Sequence, residues 1–168
     1  MNVKIRNCPD KYFKPYVERA ALFYAKELIP NTRIRNNCTT TIRFDGRMRN
    51  YGSCGAEDYN TKKEPREFLI EIHPGLGART ILGVLAHEMV HVKQYLTGET
   101  DEELGSWKGK KVNYERTDYW DQPWEIDAHG REGGLLTKFA IKEELWEVFE
   151  GFRNPDLPIV SRPIKWKR

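Results

Sequence analysis

The chain is poor in sulfur and in imidazole, with three cysteines and four histidines among its 168 residues. Cys8, Cys38 and Cys54 are odd in number and form no C-x-x-C pair, which excludes a disulfide framework and a cysteine zinc ribbon. No apolar run approaches the roughly 18–20 residues of a membrane span. The opening stretch MNVKIRNCPDKYFK lacks the apolar centre of a secretory signal. The expectation is a reducing, cytoplasmic setting and no membrane partner. A dominant charge is missing as well. The 28 Lys and Arg against 25 Asp and Glu leave +3, too little by itself to announce a nucleic-acid binder. No internal repeat, low-complexity tract or dividing linker interrupts the chain, so one domain over residues 1–168 is expected. What is present, 12% aromatic and 39% hydrophobic residues beside 32% charged ones, fits a packed interior under a polar surface.

Hydrophobic periodicity divides the chain. Phe13, Val17, Ala20, Ala21, Tyr24 and Leu28 recur at helical steps, so a helix is expected from Pro9 to Ile29, stopped by Pro30-Asn31. Thr39–Phe44 (TTTIRF) and Glu67–His73 (EFLIEIH) read as strands, and the stretch between them, Arg47–Pro65, as mostly loop broken by Gly52, Gly55 and Pro65. From Ala78 the period becomes helical again through Ile81, Leu85, Met89, Val92 and Leu96, with Thr97-Gly98 as the stop. Glu99–Asp121 reads as loop or irregular hairpin. Asp121 is expected to cap a further helix, with Pro123 in its first turn, kinked near Gly133-Gly134 and resuming to Val148 before Gly151 and Pro155. The core then spans about residues 39–151, followed by an extended basic tail over about residues 156–168.

The four histidines are not scattered. His87-Glu88-Met89-Val90-His91 lies inside the second strongly periodic helix, and residues four apart share a helix face, so both imidazoles reach one metal ion. Glu88 sits beside that face, where a carboxylate contacts a metal-bound water without becoming a ligand, the position of a general base. This is the zinc-peptidase pattern H-E-x-x-H, expected by chance in about one per cent of chains of this composition.

A catalytic zinc takes three protein ligands and keeps one position open. Downstream, PWEIDAHGRE offers Glu125, Asp127 and His129. If that segment is helical, Glu125 and His129 share a face and Asp127 points elsewhere. Either Glu125 or His129 completes the set by spacing. His73, before Pro74-Gly75, reads as an ordinary loop histidine.

HEMVH followed by Glu125-Ile126-Asp127-Ala128-His129 resembles the gluzincins, and RMRNYGSCG, EFLIEIHP and ILGVLAHEMVH resemble the SprT-like branch of zinc metallopeptidases. The residues after His91, VKQYLTGE, lack the third histidine of the Met-turn zincins. The resemblance covers roughly Thr39 to Gly134. It implies an α+β, compact zincin-like fold: a short twisted sheet, an active-site helix beneath it and a C-terminal glutamate-bearing helix. It implies Zn2+ held by His87, His91 and Glu125, with Glu88 as base and a peptide or protein substrate. His129 stands where many gluzincins carry an acidic residue supporting the ligands. As a catalytic residue it is the first candidate to stabilise the oxyanion, ahead of Tyr95, Tyr114 and Tyr119. The resemblance also makes strand Glu67–His73 the candidate edge on which substrate backbone adds as a further strand.

Two other readings compete. DNA association could use Arg43, Arg47, Arg49, Lys62, Lys63 and Arg66, then Lys108, Lys110 and Lys111, and the tail residues Arg162, Lys165, Lys167 and Arg168. A purely structural zinc site is the other, and Glu88 speaks against it. Cys54 reads as a buried thiol under a Gly-rich turn, and Trp124 as packing that steadies the helix carrying Glu125.

Overall fold

The computed structural model describes residues 1–58, 65–101, 103–146 and 149. In chain order it contains β1 (Asn2–Arg6), α1 (Lys14–Leu28), α2 (Thr32–Asn36), β2 (Thr39–Phe44), β3 (Gly52–Ala56), β4 (Glu67–Ile72) and α3 (Ala78–Leu96). A small hairpin of β5 (Ser106–Trp107) and β6 (Lys110–Lys111), two single 3-10 turns (Tyr114–Arg116 and Tyr119–Asp121) and α4 (Pro123–Lys142) follow. The fold is mixed α and β, compatible with the expected α+β class: one four-stranded sheet and four α-helices among the described residues.

The sheet runs β1-β2-β4-β3. β1, β2 and β4 are parallel, and β3 is antiparallel to β4. Alternation in β2 and β4 aligns Thr40 with Phe68, Ile42 with Ile70 and Phe44 with Ile72, all buried on one face. The opposite face carries the Arg43–Glu71 ion pair, at 2.6 Å. Helices α1 and α3 cover the buried face, and α4 packs on α3. Tyr24 and Phe139, both fully buried, meet edge to face at 5.7 Å where α1 approaches α4, and the Tyr24 hydroxyl donates to the Leu82 carbonyl at 3.2 Å. No helix among the described residues is long and apolar enough to cross a membrane.

Several boundaries follow the expected signals. The stop at Thr97-Gly98 is a Schellman turn: Gly98 has φ 68°, the Glu99 amide reaches the Gln94 carbonyl at 2.8 Å and the Gly98 amide that of Tyr95 at 3.1 Å. Between residues 99 and 121 there is indeed an irregular hairpin, turned at Lys108-Gly109.

Other boundaries differ. β1, not among the expected strands, pairs with β2; Val3 and Ile5 alternate with Asn2, Lys4 and Arg6 and pack against the core. The α1 helix begins at Lys14 rather than near Pro9, because the Asp10 carboxylate captures the Tyr12 and Phe13 amides at 2.6 and 3.3 Å and holds a turn first. β3 forms in the stretch read as loop, its two glycines tolerated because β4 supplies a full ladder. That ladder makes β4 interior, between β2 and β3, so Glu67–His73 is not an edge; β3 is.

Gln122, not Asp121, precedes α4, and Asp121 ends the second 3-10 turn. α4 passes through Gly133-Gly134 without a break, since packing of α4 on α3 outweighs two weak helix formers. It stops at Lys142 in a second Schellman turn: Glu144 has φ 54° and the Leu145 amide reaches the Ala140 carbonyl at 2.9 Å. Burial of Leu145 at 2% exposure holds that turn. The expected helical Val148, the breakers Gly151 and Pro155, Lys62, Lys63 and the basic tail lie outside the described residues.

A methyl group at Gly133 or Gly134 would meet nothing within 4 Å. Gly133→Ala and Gly134→Ala are each expected to stabilise the fold by ~0.5–1 kcal/mol, read as a rise of about 1–4 °C in Tm. A fall in Tm would mean that the helix needs flexibility there.

Candidate metal centre

α3 and α4 together build the site. α3 enters from β4 across the turn Pro74–Gly77 and buries Ile81, Leu82, Leu85, Met89 and Val92, which leaves His87 and His91 directed towards α4. Pro123 at the first position fixes the start of α4, and Trp124, 2% exposed, anchors it. The next residue, Glu125, therefore faces α3.

Nε2 of His87 and Nε2 of His91 lie 3.1 Å apart. Glu125 sets Oε2 3.2 Å from the first and Oε1 3.5 Å from the second. These three buried or half-buried groups can hold a metal ion. A four-coordinate ion about 2.0–2.2 Å from each donor would separate the donors by about 3.3–3.6 Å, close to the spacings seen. Three lone-pair donors aimed at one point repel one another unless a cation or a shared proton lies between them, so the donor set fits a divalent ion.

Each donor is held from behind. Nδ1 of His87 meets Oε2 of Glu132 at 2.8 Å, and Nδ1 of His91 meets Oε1 of Gln94 at 2.9 Å. Gln94, with no exposed surface, donates in turn to the Trp124 carbonyl at 2.9 Å, tying the histidine helix to the glutamate helix. The Tyr119 hydroxyl donates to Oε2 of Glu125 at 2.8 Å. Burial raises the Glu125 pKa, but His87, His91 and Tyr119 outweigh it and hold the carboxylate well below its usual range. Burial, followed by hydrogen bonding to Glu125, raises the Tyr119 phenol.

Glu88 is 6% exposed and lines the same cleft. Burial pushes its carboxyl up to about 7; the two histidines pull it down, and Glu125 and Glu132 raise it. β3 comes unusually close here: a Cβ on Gly52 would stand 2.4 Å from Cγ1 of Val84 and 2.7 Å from Oε1 of Glu88. Glycine is required at that approach.

The cleft has a volume of about 760 Å³ and runs over α3 between β3 and α4. All five residues singled out in the sequence border it: His87, Glu88, His91, Glu125 and His129. His129 stands outside the three-donor group, its ring centroid 4.5 Å from that of His87, its Nδ1 3.4 Å from Oε2 of Glu132 and its Nε2 3.5 Å from the Tyr119 hydroxyl. Of the tyrosines, Tyr95 and Tyr119 border the cleft and Tyr114 does not. His73 lies apart, its Nδ1 accepting from the Gly75 amide at 3.1 Å. Asp127 turns away to Arg131 and Gln94, as its spacing implied.

Cys54 is half-buried on β3 at the cleft wall rather than beneath a turn, and burial with the nearby Glu88 raises its thiol well above the usual range. Gln94, Glu132 and Gly52 carried no motif signal; only the helical offsets from His91 and His129 could have pointed to the first two. Of the basic residues, Arg43 pairs with Glu71 and Arg47 with Asp45, while Lys110 and Lys111 are exposed on β6.

Comparison of the chain with protein-family models, with curated proteins and with solved structures gave no match.

Gly52→Ala is expected to cost about 1–3 kcal/mol by overpacking, measured by thermal denaturation. Adding Val84→Ala should return part of the loss. An unchanged Tm for the single variant would show that β3 and α3 can part without cost.

Proposed function

We propose that this chain is a zinc-dependent metallopeptidase, with Zn2+ held by His87, His91 and Glu125 and with Glu88 as general base. One observation carries the reading. Two imidazoles and a carboxylate converge beside a buried glutamate, in a cleft of about 760 Å³. A purely structural site has no use for Glu88 in that position.

When bound, zinc supplies Lewis acidity to a water and to the scissile carbonyl. Glu88 takes the proton of the attacking water as its oxygen bonds to the carbonyl carbon. It then passes that proton to the departing nitrogen as the C–N bond breaks. His129 brings an N–H donor to the cleft where the oxyanion would develop, while the Tyr119 hydroxyl holds Glu125. Substrate backbone would add to the outer edge of β3, the strand that shares the cleft wall with Glu88.

Bound zinc and cleavage of a casein substrate are to be measured on one set of variants. His87→Ala, His91→Ala and Glu125→Ala should each empty the site, whereas His129→Ala should keep the metal and lose rate. Glu88→Gln should keep full zinc occupancy and lose about 10²–10⁴-fold in kcat. Undiminished cleavage by Glu88→Gln overturns the mechanism, and loss of zinc from His129→Ala in place of Glu125→Ala overturns the ligand assignment.

A further inference from the structure

The cleft extends well past the three donors. Along α3, Thr80, Gly83, Val84, His87 and His91 repeat at helical spacing and border it in sequence, with Leu136 of α4 opposite Gly83. The wall between the donors and the start of α3 is therefore largely apolar. At its end stands Arg79. Among the described residues it is the one lysine or arginine that borders the cleft. No carboxylate among them lies within ion-pair distance of it, unlike Arg43, Arg47 and Arg131. Among the described residues its guanidinium meets the ring of Phe149, with the guanidinium carbon 5.9 Å from the ring centroid.

An exposed guanidinium at the end of a groove keeps its charge and its five donors free for an incoming anion, and its planar fork matches a carboxylate. Eight residues of helix separate Arg79 from His87, about 12 Å along the axis. An extended peptide covers that span in about three to four residues.

We propose that Arg79 is a specificity-determining residue that selects peptides carrying a carboxylate about three residues from the scissile bond. The inference rests on the metallopeptidase reading and names its substrate class. The carboxylate could belong to an Asp or Glu side chain or to a free C-terminus; the chemistry at Arg79 is the same. The apolar stretch formed by Val84 and Leu136 accepts the intervening side chains without selecting their charge.

The test uses the zinc-loaded full chain and a peptide series of one neutral background. Asp, Asn or Lys is placed two, three or four residues to either side of the cleaved bond, and each peptide is made with a free and an amidated C-terminus. For the parent, kcat/KM should be about tenfold higher for a carboxylate three residues away than for lysine there. Arg79→Glu should reverse that order, while Arg33→Glu, the same charge change on α2 outside the cleft, should preserve it. The free and amidated arms tell a side-chain carboxylate from a terminal one.

A parent without charge preference, or Arg79→Glu with the parent's preference, overturns the proposal. If no peptide is cleaved, the metallopeptidase reading fails separately. Fluorescence anisotropy with the same peptides then decides for Arg79: equal affinity for the Asp and Lys peptides, or affinity unchanged in Arg79→Glu, overturns it.

Discussion

A carboxylate buried between two imidazoles constrains most of what surrounds it. Glu125 is 8% exposed, and its charge is tolerable there because His87, His91 and the Tyr119 hydroxyl all address it. That arrangement demands a fixed separation of α3 and α4. Gln94 enforces it, accepting at Oε1 from Nδ1 of His91 on one side and donating to the backbone of Trp124 on the other. The anchoring of Trp124, the proline start of α4 and the apolar stripe of α3 all serve one end: two helices whose polar residues meet at a single point.

The sheet contributes proximity more than chemistry. β4 leads directly into α3, and its ladder with β3 brings Gly52 against Val84 and Glu88. Closing that side of the cleft buries Glu88, and that burial lifts its pKa towards neutrality. The same closeness makes β3, not β4, the free edge beside the donors. Because β2 and β4 bury one face and leave Arg43–Glu71 on the other, all the helices that build the cleft lie on one side of the sheet.

Local pattern was enough for the strongly periodic elements. α3 and the strands β2 and β4 were legible because burial on one face imposes a period on the residues. So were His87, Glu88 and His91, whose spacing is a property of the helix itself, and Glu125 as one of two candidates. β1 and β3 were not legible. β3 has slight apolar content and β1 only the short alternation of Val3 and Ile5, and each is completed by a neighbour that offers a full row of backbone partners. The continuation of α4 through two glycines and its end at Lys142 were hidden for a similar reason: contacts with α3 and burial of Leu145 decided them.

By itself, then, the sequence determined the donor types and their spacing within each helix, since one turn of helix separates residues four apart wherever the helix goes. Only the tertiary structure decided which downstream residue joined the two histidines, for Glu125 and His129 share one face of α4 and differ by one turn. The depth to which α4 is seated on α3, set by Trp124 and Gln94, brings Glu125 level with both Nε2 atoms. His129 it leaves beside Glu132 and Tyr119 at the rim.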